Sequence, residues 1–247
     1  AHIENFPSRD ALIAEKCAIF GHMQGAGLCI AEDTLGLAGY RFGFSPDSHA
    51  QILHVGADLL ELQLFGRKLQ ARLPGGGEHR ALTLAAVILA TELLGVDLAA
   101  ALALDDDTVP SGRGNLMRCA GIDLIDDSYN ANPASMQAAL QAFGQKPASG
   151  RKFVLLGEML ELGEISAEAH QTIFEATAAF DGCFLVGAGF AELRGVGDAH
   201  HNDADSMLID RLLETLQPGD SLLIKGSNRV FWATGFVQQL AQALRGS

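Results

Sequence analysis

Apolar and polar positions change rhythm near the middle of this 247-residue chain. In "SRDALIAEKCAIFGHM" (8–23), Leu12, Ile13, Ile19 and Phe20 recur at the spacing of one helix face, with Ser8 or Arg9-Asp10 at the start. "GLCIAE" (27–32) reads as a strand. "AQILHVG", "LLELQLFG" and "KLQARL" (50–73) alternate with a period near two, and "LFGRKL" between them has the form of a hairpin. After the Gly-rich "PGGGEH" comes an apolar stretch, 81–104, broken by Glu92, Gly95 and Asp97, which suits two packed helices better than a membrane span. The first part therefore predicts helix, β-meander, helix, helix.

Beyond "DDDTVPSGRG" the pattern becomes strand–helix alternation. Strands are predicted at 119–126, 152–157, 182–187 and 221–225, and helices at 133–143, 166–180, 203–216 and 232–245. Four such pairs imply an α/β unit with a mostly parallel sheet and helices on both faces. The boundary falls near 108–114, giving domains of 1–110 and 111–247. Open parallel sheets bind ligands beyond the carboxyl ends of their strands. Three predicted strands end in polar groups: "DDSYNANP" (126–133), Glu158, and Lys225 with Ser227. A single polar tip is a turn, whereas three on one edge form a candidate site. Ser128 or Asn132 can also cap the following helix, with Pro133 in its first turn, so a purely local role for the segment stays open.

Charge and cysteine usage narrow the classes. A formal net charge of −13 without a basic stripe argues against nucleic-acid binding. Cys17, Cys29, Cys119 and Cys183 form no C-x-x-C pair, which speaks for reduced thiols in a cytoplasmic protein and against a zinc site. No signal peptide or membrane span is read from the sequence. "VGAGFAE" (186–192) has Glu192 where a dinucleotide fingerprint needs glycine. "GQKPASGRK" (144–152) has Arg151 in the lysine place of a phosphate loop and precedes a strand, so the chain contains no complete triphosphate-cradling loop.

The segments "DDSYNANPASMQAAL", "LLGEMLELG" and "LLIKGS" resemble, in order and spacing, the C-terminal domain of the Mur ligase family, in its MurF-like branch. That branch adds D-alanyl-D-alanine to a UDP-N-acetylmuramoyl tripeptide. "AHIENFPSRDALIAEKCAIF" and "LPGGGEHRALTLAAV" resemble segments of the family's central ATPase domain, and "VPSGRG" its hinge. The resemblance implies a partial central domain, entered after its P-loop, followed by a Rossmann-like domain. The chain departs from the family pattern at Thr83, Glu158, Ala18 and Asn228, where asparagine, aspartate, glutamate and arginine are usual.

The family reaction is ATP-dependent: a carboxylate becomes an acyl phosphate, which an amine attacks to give an amide. The resemblance implies ATP and Mg2+ as cofactors, UDP-MurNAc-peptide and D-Ala-D-Ala as partners, and a cytoplasmic monomer. Lys16 matches a carbamylated lysine that holds magnesium, and His2 a histidine beside that metal. Arg113 at the hinge matches a catalytic arginine that also meets the nucleotide. His79, Thr83, Asp127, Tyr129 and Asn130 fall in the nucleotide-binding set, with Asp127 facing the ribose. Asn132, Glu158, Lys225 and Ser227 fall in the set facing the amine substrate. On this reading the chain alone is a fragment without full activity. A non-catalytic ligand-binding partner module, or a ligase of another pathway, is the alternative.

Overall fold

The computed structural model describes residues 6–22, 30–105, 109–193 and 199–246. They fall into two compact units, one within Ser8–Val109 and one within Pro110–Ser247.

The first unit opens with helix α1 (Arg9–Gly21), whose N-cap Ser8 accepts from the Ala11 amide. A five-stranded sheet follows, in the order β1 (Ile30–Glu32), β2 (Tyr40–Gly43), β3 (Ala50–Val55), β4 (Leu59–Leu64), β5 (Arg67–Arg72). The meander expected over 50–73 forms β3 to β5, with antiparallel pairing and the hairpin turn at Phe65–Gly66. The sheet also extends through β2, which pairs in parallel with β3, and β1, which pairs in parallel with β2. β2 is too short to show a period of two and was not legible as a strand. Alternate residues Leu60, Leu62 and Leu64 of β4 are fully buried, as a strand packed on one face requires. They meet Ala81, Leu84, Ala85, Ile88 and Leu89 of α2 (Glu78–Leu93). The break at Gly95 and Asp97 leaves a short second helix, α3 (Ala99–Leu102). Among the described residues no helix is long and apolar enough to cross a membrane.

The second unit carries β6 (Asn115–Cys119), β7 (Ile122–Asp127), α4 (Pro133–Gln145), β8 (Lys152–Gly157), α5 (Ser166–Ala176), β9 (Gly182–Val186), β10 (Ala199–His201), α6 (Ser206–Thr215), β11 (Ser221–Lys225) and α7 (Phe236–Gly246). The run expected as one strand near 119–126 is a hairpin. Ala120 and Gly121 take positive φ, turning β6 back against β7 as an antiparallel edge. The remaining five strands are parallel, in the order β10-β9-β8-β11-β7.

The buried runs of β8 and β11 sort by parity. Phe153, Leu155, Leu222 and Ile224 pack under α6 and α7, while Val154, Leu156 and Leu223 pack under α4 and α5. Chain order places β11 between β7 and β8, so neighbouring strands send their chains to opposite faces of the sheet. That is a topological switch point, where a crevice opens beyond the strand ends.

Register is fixed at the far end of the strands. Buried Asp220 accepts from the Arg151 amide at 2.9 Å, its guanidinium at 2.7 Å and the Gln217 amide at 2.9 Å. Burial works to raise this carboxyl. The Arg151 and backbone hydrogen bonds outweigh it and hold the group below the usual aspartate range.

Leu155→Ala, which removes a fully buried side chain from this sheet, is expected to cost about 2–5 kcal/mol in urea unfolding. Exposed Met207→Ala is expected to stay within about 0.5 kcal/mol of the parent.

Candidate functional site

β7 and β11 pair in the register Lys225↔Asp127, and β11 and β8 in the register Lys225↔Leu156. Three carboxyl-terminal tips thus end level with one another. Asp127 and Lys225 share the parity of Ile125 and Leu223, so both side chains leave on the α4 side of the sheet. The Lys225 ammonium donates to Asp127 Oδ2 at 2.7 Å and to the Asn130 carbonyl at 3.0 Å. Its side chain is only 4% exposed, against 20% for Asp127. An ammonium so deep in protein needs a counter-charge close by. Asp127 Oδ1 has no partner among the described residues, which leaves one acceptor of the pair for a ligand hydroxyl.

The other tips interlock through backbone groups. The Ser227 amide donates to the Glu158 carbonyl at 3.1 Å, and Ser227 Oγ accepts from the Leu160 amide at 2.9 Å. Gly226 makes this approach possible: a Cβ there would lie 2.8 Å from the Gly157 Cα. Glu158 Oε2 accepts from the Gly189 amide at 3.0 Å, in the glycine turn after β9. Its carboxylate therefore sits in the turn that the failed fingerprint occupies.

On the opposite face, Asp126 is buried beneath Ser111 and Gly112. The Arg113 guanidinium lies 4.2 Å over the Tyr129 ring. Tyr129 meets Trp232 edge to face, with ring centroids 5.2 Å apart.

The predicted residues thus separate into groups. Asp127, Asn130 and Lys225 come together directly, Glu158 joins Ser227, and Arg113 joins Tyr129. Asn132 is half-buried and accepts from the Ser135 amide at 2.9 Å in a capping box, so its carbonyl oxygen serves α4. His79 and Thr83 stand exposed on α2, in the first unit, where Thr83 Oγ1 donates to the His79 carbonyl at 3.0 Å. Lys16 stands exposed on α1. His2 lies outside the described residues. Among the described residues no group of three His, Cys, Asp or Glu is placed to hold a metal ion.

Three contributors have little signature in the sequence. Asp126 adjoins Asp127 in the sequence, and nothing in its spacing separates the two acids. Trp232 belonged to a predicted helix that in fact starts at Phe236. His170 is a single polar position on α5, yet it is buried, and its Nε2 accepts from the Met159 amide at 3.0 Å. Its Nδ1 faces the Ser166 carbonyl at 2.7 Å, so Nδ1 carries the proton. Burial lowers its pKa, against the Ser166 hydrogen bond and the Glu158 charge, and keeps the ring neutral.

The Mur ligase glutamate ligase domain matches residues 112–228, the stretch that holds all three tips. The UDP-N-acetylmuramoyl-tripeptide--D-alanyl-D-alanine ligase of Rickettsia prowazekii is 28% identical over 258 residues, covering 93% of this chain and 57% of that enzyme. The Escherichia coli ligase of the same name is 31% identical over 259 residues, covering 92% of this chain and 55% of that enzyme. The chain belongs to the Mur ligase family. The fold of this Mur ligase chain agrees with MurF from Thermotoga maritima, crystallised in complex with ADP, at a TM-score of 0.86 and 23% identity. That likeness covers 100% of this chain and 60% of the MurF chain. This Mur ligase chain therefore spans little more than half the length of the curated relatives it matches.

Two outcomes follow from the geometry. Lys225→Met, which strands Asp127 without its cation, is expected to cost about 3 kcal/mol in denaturant unfolding. The second concerns acid. His170 is neutral when folded, and an unfolded histidine binds a proton below the ordinary value of 6.5. The unfolded state therefore takes up more protons as the pH falls, and stability declines through and below that value. In His170→Phe the decline over this range is expected to be shallower in pH-dependent thermal unfolding. A residual slope is expected from His201, which burial also lowers.

Proposed function

We propose that this chain is the nucleotide-facing part of an ATP-dependent ligase that joins D-Ala-D-Ala to a UDP-MurNAc-peptide through an acyl phosphate. The observation that carries the reading is the level set of tips at the switch point, where Asp127 keeps an open acceptor beside a buried cation. A ribose offers two adjacent hydroxyl donors, and a carboxylate at the end of a parallel strand is suited to receive them. Arg113, exposed on its turn, is suited to meet the phosphates, and Tyr129 to line the nucleotide.

Each residue has a limited task. Asp127 orients the nucleotide, Lys225 holds Asp127 in place, and Arg113 counters negative charge as the acyl phosphate forms and breaks down. Ser227 and Glu158, locked tip to tip, shape the floor of the amine-substrate side. ATP supplies the phosphoryl group that makes the carboxylate reactive. Magnesium is bound by oxygen ligands in near-octahedral geometry. Among the described residues no group of three His, Cys, Asp or Glu is placed to supply them. Lys16 and His2 stand as the proposed metal-side residues, to be tested by carbamate-sensitive mass measurement of Lys16.

A second reading, a nucleotide-binding partner module without turnover, is favoured by the absence of a complete phosphate loop from the sequence and by Glu158 filling the β9 glycine turn. The two readings part at the amine substrate. The ligase reading expects both ADP and D-Ala-D-Ala to bind the chain in calorimetry. The module reading expects ADP alone.

Asp127→Ala is expected to weaken ADP at least about tenfold, the scale of one lost charge-assisted hydrogen bond. No phosphate release from ATP is expected from the isolated chain. Unchanged ADP affinity in Asp127→Ala would remove the ribose assignment.

A further inference from the structure

Asp126 has no role in the reading above, yet it is among the most enclosed charged groups of the second unit, at 1% exposure. Both of its oxygens are engaged. Oδ2 accepts from the Gly112 amide at 2.8 Å and from Ser111 Oγ at 3.1 Å. Oδ1 accepts from the Ser128 amide at 3.2 Å and from the Ser128 hydroxyl. Two donors reach each oxygen, and none of the four is a cation.

Neutral donors around a buried carboxylate are a costly way to close a turn, which an asparagine or serine closes without charge. What distinguishes the arrangement is what it joins. Ser111 and Gly112 lead directly into Arg113. Ser128 lies between Asp127 and Tyr129. The Asp126 carbonyl accepts from the Gly114 amide at 2.6 Å, and the Tyr129 amide donates to the Gly112 carbonyl at 2.9 Å. Arg113 is thus fastened on both sides, at 112 and 114, to the strand that carries Asp127.

Gly112 has a positive φ of 76°, and a Cβ there would meet Trp232 Cδ1 at 2.6 Å and Tyr129 Cβ at 3.0 Å. The backbone that Asp126 holds is therefore pressed onto the Trp232 ring and the base of the Tyr129 side chain.

We propose that Asp126 is a positioning residue: its carboxylate clasps the 111–114 segment to β7, so that Arg113, the Tyr129–Trp232 rings and Asp127 present themselves to a nucleotide as one rigid group. The nucleotide part of this proposal rests on the reading under Proposed function. The clasp itself rests on the hydrogen bonds alone.

The test uses the 247-residue chain, with ADP as the probe and Trp232, its one tryptophan, as the reporter. Asp126→Asn replaces one acceptor oxygen by a donor that faces existing donors. It is expected to fold and to weaken ADP at least about tenfold. Adding Arg113→Ala or Asp127→Ala to Asp126→Asn is expected to cost clearly less than either costs in the parent, because an unclasped group is already misplaced. Losses that simply add, or a folded Asp126→Asn that binds ADP like the parent, overturn the proposal. Should Asp126→Asn not fold, Ser111→Ala replaces it, with a smaller ADP loss and the same non-additivity expected. A parent chain that binds no ADP removes the nucleotide reading and leaves the clasp to Trp232. Its emission is expected to shift to the red, and its quenching by acrylamide to rise, in Asp126→Asn or Ser111→Ala. Unchanged emission and quenching overturn the clasp as well.

Discussion

An ammonium withdrawn from water must be answered by charge and acceptors at the same spot, and much of the second unit is consistent with that demand at Lys225. Its stem lies in a strand with every residue buried. Its head meets Asp127 on the adjacent strand and the Asn130 carbonyl just beyond. This cross-strand pair couples the end of β11 to the end of β7. A shift of one residue in register would move either partner to the opposite face, so the pair tolerates only the observed alignment.

The alignment is supported from both ends of the strands. At the amino ends, Arg151 and Asp220 tie β8 to the turn before β11. At the carboxyl ends, Ser227 and Glu158 join backbone to backbone, with Gly226 and Gly157 close enough to exclude side chains. Chain order and apolar parity set the switch point. The clamps at both ends then hold the polar tips level across it. Function on such a sheet is a matter of which groups stand at the tips, and here they are a carboxylate with one open acceptor, a buried cation and an arginine laid over an aromatic ring.

Much of this was legible in the sequence, for reasons that can be named. Long buried strands such as "LLIK" and "FVLLG" are continuous apolar runs, and "DSYNANP" combines a strand end, a cap and a helix-starting proline. Short elements were harder. β2, β6 and β10 have 4, 5 and 3 residues, too few to establish a period. Asn132 illustrates a different limit, because one residue type serves both helix capping and ligand binding, and only coordinates show that its carbonyl oxygen caps α4. His170 and Asp126 act through the backbone of distant or adjacent turns, which leaves no pattern in composition or spacing. The residues expected to serve the metal, His2 and Lys16, are read from resemblance, since neither spacing nor periodicity marks them.

The stretch that matches the Mur ligase glutamate ligase domain, 112–228, holds all three strand tips. The central claim is that the tip of β7, secured by Lys225, is where a nucleotide ribose is held. A crystal structure of the chain grown with ADP tests this most directly. The account predicts ribose hydroxyls within hydrogen-bond distance of Asp127 Oδ1, with Lys225 still seated on Oδ2. A nucleotide bound elsewhere on the molecule, or a Lys225 released to contact it, would contradict the account.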